Sequence, residues 1–428
     1  MFSLSAQRAS KLGATSTLNS RRFPHEDTIV RDVCIIGGGA TGTFSAIRLR
    51  DSGKTVAVVE RSSRLGGHTL TYQDPVSALK TEAGLVVIRR SPVSEKYFAR
   101  FSIPLIKFEP PPPAATIFVD FTTGKKVDFS PRDPSDAFAA YGAQLAKYPF
   151  LDNGFDLPDP IPEDLLLPFG HFVKKYDLSA MVLLVSKLGQ GLGDLLSQPT
   201  LYVMKNFGKT ALEGFATGFL VPESGDNSSL YEKALAELGS DALIGSSVVS
   251  VRRDNHSVRV VVQTPSGQKL IKAKKLLITI PPRWRTSKAG VPDNYHVTNL
   301  GVGTPESLPK LPGIYEISPT GIPDLVNLKY GSPVPLPDED VRADVMACLS
   351  RLREAGTLQI NEKPEIALFE NHGPFGLAVP VSPIEGGFYK QPNKLNGHRN
   401  TFYTGAAFQA HDATLLWEYT DDLLRKHF

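Results

Sequence analysis

From Thr28 the chain runs "TIVRDVCIIGGG", a β-branched apolar stretch broken by two charges and cut off by three glycines. An apolar run with no strict alternation predicts a strand buried on both faces, the habit of parallel sheets. "ATGTFSAIRLRDSG" follows, with Phe44, Ile47 and Leu49 giving an apolar side and Gly53 standing where a helix would end. "KTVAVVERS" is a second short β-branched run. Strand, glycine turn, helix and strand within about thirty residues make a βαβ unit and imply a parallel sheet.

The pattern changes over residues 108–170. Four consecutive prolines open it, then "ATIFVDFTTGKKVDF" predicts two strands turning at Thr123-Gly124. Proline stops mixed with helical apolar spacing, as far as "SAMVLLVSKLGQGLGDLL", predict a largely helical insertion folded over the first unit. Near residue 228 the earlier grammar returns. "SSLYEKALAEL" is a helix with a serine N-cap candidate, and residues 242–282 read as strand, strand, Ser-Gly turn, strand, strand. A Gly- and Pro-rich region to residue 394 holds one amphipathic helix, "DEDVRADVMACLSRLREAG". The chain closes on a β-like run, a small-residue turn and an amphipathic helix. The predicted fold is α/β: a discontinuous domain of residues 29–105, 225–285 and 395–428, interleaved with an α+β cap of 106–224 and 286–394. Residues 1–28 are expected to form a flexible tail.

Composition narrows the partners. Two joined domains suit 428 residues, of which 41% are hydrophobic and 21% charged. A net charge of +3 lacks the basic excess that nucleic acid or an anionic membrane demands. No window reaches the roughly eighteen apolar residues of a membrane span. Cys34 and Cys348 are too few for a disulfide framework or a zinc cluster, and no metal site is expected. Four basic residues and no acid precede Glu26. That is the composition of a mitochondrial transit peptide or of a disordered tail on a cytoplasmic protein, without the apolar core of a secretory signal.

The glycine turn carries the chemistry. Gly37-x-Gly39-x-x-Gly42, with Thr41 inside it, follows a strand and opens a helix. The first glycine permits a tight turn, the second lets backbone approach a pyrophosphate, and the third lets helix and strand pack closely. The helix N-terminus offers free N–H groups to phosphates. Eighteen residues past Gly42, Glu60 ends the second strand, where a carboxylate accepts the hydroxyls of an adenosine ribose. The alternative is a purely structural turn. "ERSSRLGGHT" (60–69) then distinguishes the ligands. A nicotinamide dehydrogenase has no need of a second glycine turn there. FAD, longer and extended, does: Arg64 places a cation near the phosphates and Gly66-Gly67 lets backbone reach the ribityl and flavin. A surface Arg/Gly loop is the plainer alternative.

Gly-x-Gly-x-x-Gly followed by Glu-Arg-x-x-Arg-x-Gly-Gly-His resembles the flavin-containing amine oxidase superfamily. "GGHTLTYQDP", "QPTLYVMKNFG" and "RNTFYTGAAFQAHDATLLWEYTDDLL" resemble, more narrowly, the fungal secondary-metabolite FAD oxidoreductases of the β-cyclopiazonate dehydrogenase family. The resemblance covers most of residues 30–428. It implies a Rossmann-like FAD-binding domain with Gly37, Gly39 and Gly42 at the pyrophosphate and Glu60 on the ribose. Arg61, Arg64, Gly66, Gly67 and His68 would lie along the pyrophosphate and ribityl. Val248 would pair its backbone with adenine, while a buried strand valine is its ordinary role. Glu82 and Gly84, in "TEAGLV", would run beside the isoalloxazine, and Gly405-Ala406 would close over ribityl and flavin. The helix starting near Asp412 would aim its positive end at the flavin N1–C2=O edge. The stretch over 283–310 departs from the family pattern.

What remains is the reaction. The resemblance implies hydride removal to flavin N5, with O2 or another acceptor reoxidising the flavin, and FAD held without a covalent bond. Lys329, in "LVNLKYGS", would approach N5 through a water, or be an exposed lysine. Phe375 and Tyr403 would flank a planar substrate, or be core residues. His372 is a base or a hydrogen-bonded loop histidine. The leading expectation is an FAD-dependent oxidoreductase that dehydrogenates or cyclises an apolar natural-product intermediate. A flavin-binding protein without turnover and a nicotinamide dehydrogenase are the alternatives. Oligomeric state stays open.

Overall fold

The computed structural model describes residues 23–109, 116–189, 191–280, 290–291, 296–299, 308–358, 364–373, 375–376 and 378–428. The N-terminal segment 1–22, the proline run and most of the 283–310 stretch lie outside them.

The βαβ unit forms as its pattern predicts. Strand β1 (Thr28–Ile36) is parallel to β2 (Val56–Val59), and helix α1 (Ala40–Asp51) crosses between them. α1 ends at Asp51 because Gly53 takes φ +79°, a turn that releases the chain into β2. Its face carries Phe44, Ile47 and Leu49, each at most 2% exposed and each contributing about 2 kcal/mol by burial. They pack on the sheet and on Trp417, whose indole N–H donates to Ala40 O at 3.2 Å.

Later segments complete this sheet. β3 (Ala242–Leu243) pairs with β2, and β4 (Ser247–Arg253), β5 (Val258–Thr264) and β6 (Gly267–Ile278) form a meander. The two strands expected after the Ser-Gly turn are one. β6 pairs with β5 through Ala273, then with β7 (Thr401–Tyr403) from Leu276, while lying parallel to β1 along its other edge. One strand with two successive partners has no interruption for a sequence pattern to show. Helix α2 (Ser228–Leu238) is capped by Asn227, not by serine, and Asp226 Oδ1 accepts the Ser229 N–H at 3.0 Å. Helix α3 (Ala413–His427) closes the layer against α1.

Two further cores stand beside this one. A six-stranded sheet joins Gly290–Val291, Val326–Gly331, Gly313–Pro319, His296–Asn299, Thr116–Asp120 and Lys125–Lys126, the last two turning at Gly124. Helix Asp338–Glu354 covers one face through Val345, Cys348, Leu349 and Leu352. The other face is polar where Glu316 stands opposite Lys329 and Ser318 opposite Asn327. Between residues 135 and 217 a helical module builds its own core around Tyr141, Phe169, Phe172, Leu201 and Phe207.

Candidate functional site

The first glycine turn is a backbone device. Gly37 (φ +102°) donates its N–H to Val59 O at 2.9 Å, and a side-chain carbon there would meet Ile280 Cγ2 at 2.4 Å. A carbon on Gly42 would stand 1.8 Å from Gly37 O, so α1 and β1 can approach only with glycine. Gly39 is different. Its nearest neighbour would be Gly67 Cα at 3.7 Å, so the space beside it is open to a ligand. Thr41 is buried at the start of α1. Gly38, which the motif leaves unassigned, also belongs to the site: its N–H donates to Glu60 Oε2 at 2.6 Å, and a carbon there would press on the Leu65 side chain. The only sequence signal for it is that the run is three glycines long.

Glu60 binds this turn to the next. Oε1 accepts the Ser62 N–H at 2.7 Å, and its carbonyl accepts the Ser246 N–H at 2.8 Å, two residues before Val248. The ribose-type carboxylate and the adenine-type strand therefore adjoin. The second turn folds onto the first. Gly66 N–H donates to Gly38 O at 2.8 Å, and a carbon on Gly67 would meet Gly39 Cα at 2.9 Å. Arg64 braces this bend, donating to Thr69 O at 2.7 Å and Gly67 O at 2.8 Å; Arg61 is exposed. Gly84 abuts His68 O, where a carbon would lie at 1.8 Å. Gly405 (φ +109°) backs onto Thr279 O, and Thr279 Oγ1 donates to Gly37 O at 3.1 Å, with Ala406 half-buried beside it. The residues 37–42, 66–68, 84 and 405–406 thus share one region, and Thr279 is a member that the strand-end motif did not reveal.

Rings line the approach to the second turn. His68 lies 4.7 Å from His372 and 6.1 Å from His411, centroid to centroid, and Phe375 packs at 4.0 Å on His411 and 5.6 Å on His68. One edge of His68 reaches solvent, yet crowding protein, then His372, His411 and Arg64, lower its pKa to about 3. Burial and His372 lower His411 to about 4, and burial lowers His372. All three are neutral imidazoles at neutral pH. His372 is the loop histidine, its Nε2 3.3 Å from Ala83 O, and a lowered pKa makes it a poor base. His411 Nε2 is buried without a partner.

Glu82 has one oxygen committed and one not. Oε1 accepts the Thr71 hydroxyl at 2.9 Å and the Asn227 N–H at 2.8 Å; Oε2 is buried and unpaired, as is Asn227 Oδ1. It faces a cavity of about 40 Å³ with Tyr72, Thr320, Asn327 and Leu368, roomy enough for water. A larger hollow of about 380 Å³, beside Arg48, Lys96 and Arg425, contains no residue of either glycine turn. Burial raises Glu82 from 4.5 to about 7. The folded protein then holds this proton where the unfolded chain has lost it, so stability falls as pH rises from 4.5 to 7. Relative to Glu82→Gln, the wild type should lose about 3 kcal/mol between pH 4 and pH 8. Parallel denaturant titrations at the two pH values check this; a constant difference between the proteins would contradict it.

One expectation needs correction. Lys329 is not a free or exposed lysine: its Nζ pairs at 2.7 Å with Glu316, which is 6% exposed. Tyr403 and Phe375 have different neighbours. Tyr403 accepts a hydrogen bond from Arg253 at 2.9 Å and stacks on Phe408, whereas Phe375 stands with the histidines. The N-terminus of α3 is not a bare positive end either. Asp412 caps it, accepting the Leu415 N–H at 2.9 Å, and pairs with Arg89 at 2.8 Å. Arg89 in turn balances the charge of that carboxylate.

A strand, a glycine turn and a helix N-terminus backed by a ribose-type acid define a dinucleotide-binding α/β protein, and residues 35–101 match the family model of the NAD(P)-binding Rossmann-like domain. The chain is 36% identical to an FAD-dependent oxidoreductase of Cochliobolus heterostrophus over 95% of its own length and 92% of that protein. It is 35% identical to one of Monascus ruber (95% and 93%) and 35% identical to β-cyclopiazonate dehydrogenase of Aspergillus oryzae (93% and 93%). The chain belongs to this family of fungal FAD-dependent oxidoreductases. Its fold matches a fatty acid isomerase from P. acnes (TM-score 0.70, 18% identity, 93% of this chain and 99% of that one). It also matches putrescine oxidase bound to putrescine (TM-score 0.61, 16% identity, 93% and 100%).

The cofactor is FAD, and the residues fit it. Side chains are missing at Gly39 and Gly67, where the two bends touch, so an elongated ligand would run along one continuous surface of bare backbone. Gly39 and the first turn of α1 would hold the pyrophosphate, Glu60 the ribose, and Gly66 to His68 the chain beyond.

Proposed function

We propose that the protein dehydrogenates or oxidatively cyclises an apolar small molecule, a fungal secondary-metabolite intermediate, by passing a hydride equivalent to flavin N5. The observation that carries this reading is the wall beside the second glycine turn, where His68, His372, His411 and Phe375 present four uncharged rings. A flat neutral molecule gains about 0.5–1.5 kcal/mol from each offset ring contact on such a wall. Glu82, held protonated up to about pH 7, offers a diamine no charge to pair with. Bound FAD supplies the two-electron acceptor, and the chain orients the substrate and keeps water out. In this reading residues 106–224 and 286–394 enclose the substrate, Lys329 fixed on Glu316 gives them a polar ceiling, and FAD is retained without a covalent bond. O2 or another acceptor takes the electrons afterwards. The relatives' association with β-cyclopiazonate supports the substrate class.

Anaerobic mixing of the flavin-loaded protein with β-cyclopiazonate and, separately, with putrescine tests it. The flavin band should bleach with β-cyclopiazonate and persist with the diamine. Bleaching by putrescine alone would contradict the reading.

A further inference from the structure

Lys205 lies on the helix Thr200–Asn206 of the helical module and is 4% exposed. Its Nζ donates to Leu151 O at 2.6 Å, to Gly154 O at 2.9 Å and to Gln409 Oε1. Three oxygen acceptors match the three N–H bonds of an ammonium; a neutral amine has two and would turn its lone pair on the third oxygen. Burial pulls the group down to about 7 and Asp152 opposes that through space, but the acceptor set holds the charged form. The Phe155 ring lies 5.0 Å below the charge. Among the described residues Lys205 makes no ion pair, and a buried charge without one is costly to keep.

Its partner shows where that charge is delivered. Gln409 is 2% exposed, and its amide donates to Asp152 O at 2.8 Å, so it fastens the segment between β7 and α3 to the helical module. Four residues before it, Gly405 backs onto Thr279 and so onto the first glycine turn. Two residues after it, His411 stacks with His68 of the second. At the end of this segment Asp412 is paired with Arg89. The histidines are neutral, and Arg64 is turned toward the carbonyls of residues 65–69. Lys205 is the buried positive charge of this segment, with Asp152 near it only through space and no ion pair among the described residues.

We propose that Lys205 is a positioning residue that fixes the 405–411 segment through Gln409 and supplies the buried positive charge that balances the reduced, negatively charged cofactor. This rests on FAD lying in the two glycine turns. In a low-dielectric setting a fixed cation stabilises the anionic form over the neutral one and raises the potential of the couple.

The midpoint potential of the flavin-loaded protein reads this directly. Lys205→Met keeps the stem and removes the charge. Gln409→Glu keeps the shape and places a carboxylate on the ammonium, neutralising it in place. Both should shift the potential to more negative values, and Lys205→Met should bind FAD about tenfold more weakly. Should Lys205→Met fail to fold, Gln409→Glu carries the test alone. Either variant holding full flavin at the wild-type potential would overturn the proposal. Wild-type protein that takes up no flavin would instead overturn the cofactor site beneath it.

Discussion

Replacing Gly39 by Asp should give a folded protein that no longer retains FAD. A carbon at Gly39 meets nothing closer than Gly67 Cα at 3.7 Å, and its φ of −70° suits any residue. Gly39 is also the N-cap of α1, a position where aspartate is favoured and adds helix stability. The substitution is therefore gentle on the fold and severe on the ligand. A carboxylate about 4 Å from a phosphate charge costs about 4 kcal/mol at an effective dielectric constant of 20, roughly a thousandfold in affinity. Flavin-to-protein ratio after gel filtration, with thermal unfolding alongside, checks both halves. Full flavin occupancy would show that the phosphates lie elsewhere.

Replacing Gly42 by Ala should do the reverse and damage the fold itself. One added carbon would stand 1.8 Å from Gly37 O and 2.9 Å from Thr279 Oγ1. Backbone oxygen cannot rotate away as a side chain does, so α1 must lift from β1 and loosen Phe44, Ile47 and Leu49. The expected loss is about 3–5 kcal/mol, a large share of the roughly 5–15 kcal/mol that holds a domain together. Denaturant unfolding with FAD present and absent measures it. A native midpoint for Gly42→Ala would mean that helix and strand are not in this close contact. The two glycines, three residues apart, should fail in opposite ways, because one faces a ligand and the other faces backbone.

The sequence made the βαβ unit and both glycine turns readable for the same reason. A glycine with a positive φ, or one touching backbone, leaves a local trace that no other residue type can replace. The Thr123-Gly124 turn and the helix ending before Gly53 were readable on those grounds too. Contacts set by register or by distant segments left no such trace. Lys329 meets Glu316 because two antiparallel strands pair in one register, and a one-residue slip would put them on opposite faces. His68 comes from a turn some three hundred residues before His372 and His411, which lie on a loop and a helix approach. Asp412 was legible locally, since an aspartate just before an apolar helical run is a favoured N-cap.

The central claim is that the bends at Gly39 and Gly67, so close that a carbon on Gly67 would meet Gly39 Cα at 2.9 Å, hold one cofactor along their joined surface. An experimental structure of the protein with FAD tests that most directly. The pyrophosphate should rest on the backbone N–H groups after Gly39, with the ribityl chain continuing past Gly66-Gly67 toward His68. FAD bound at the first bend alone, with the second bend turned away from it, would contradict the account.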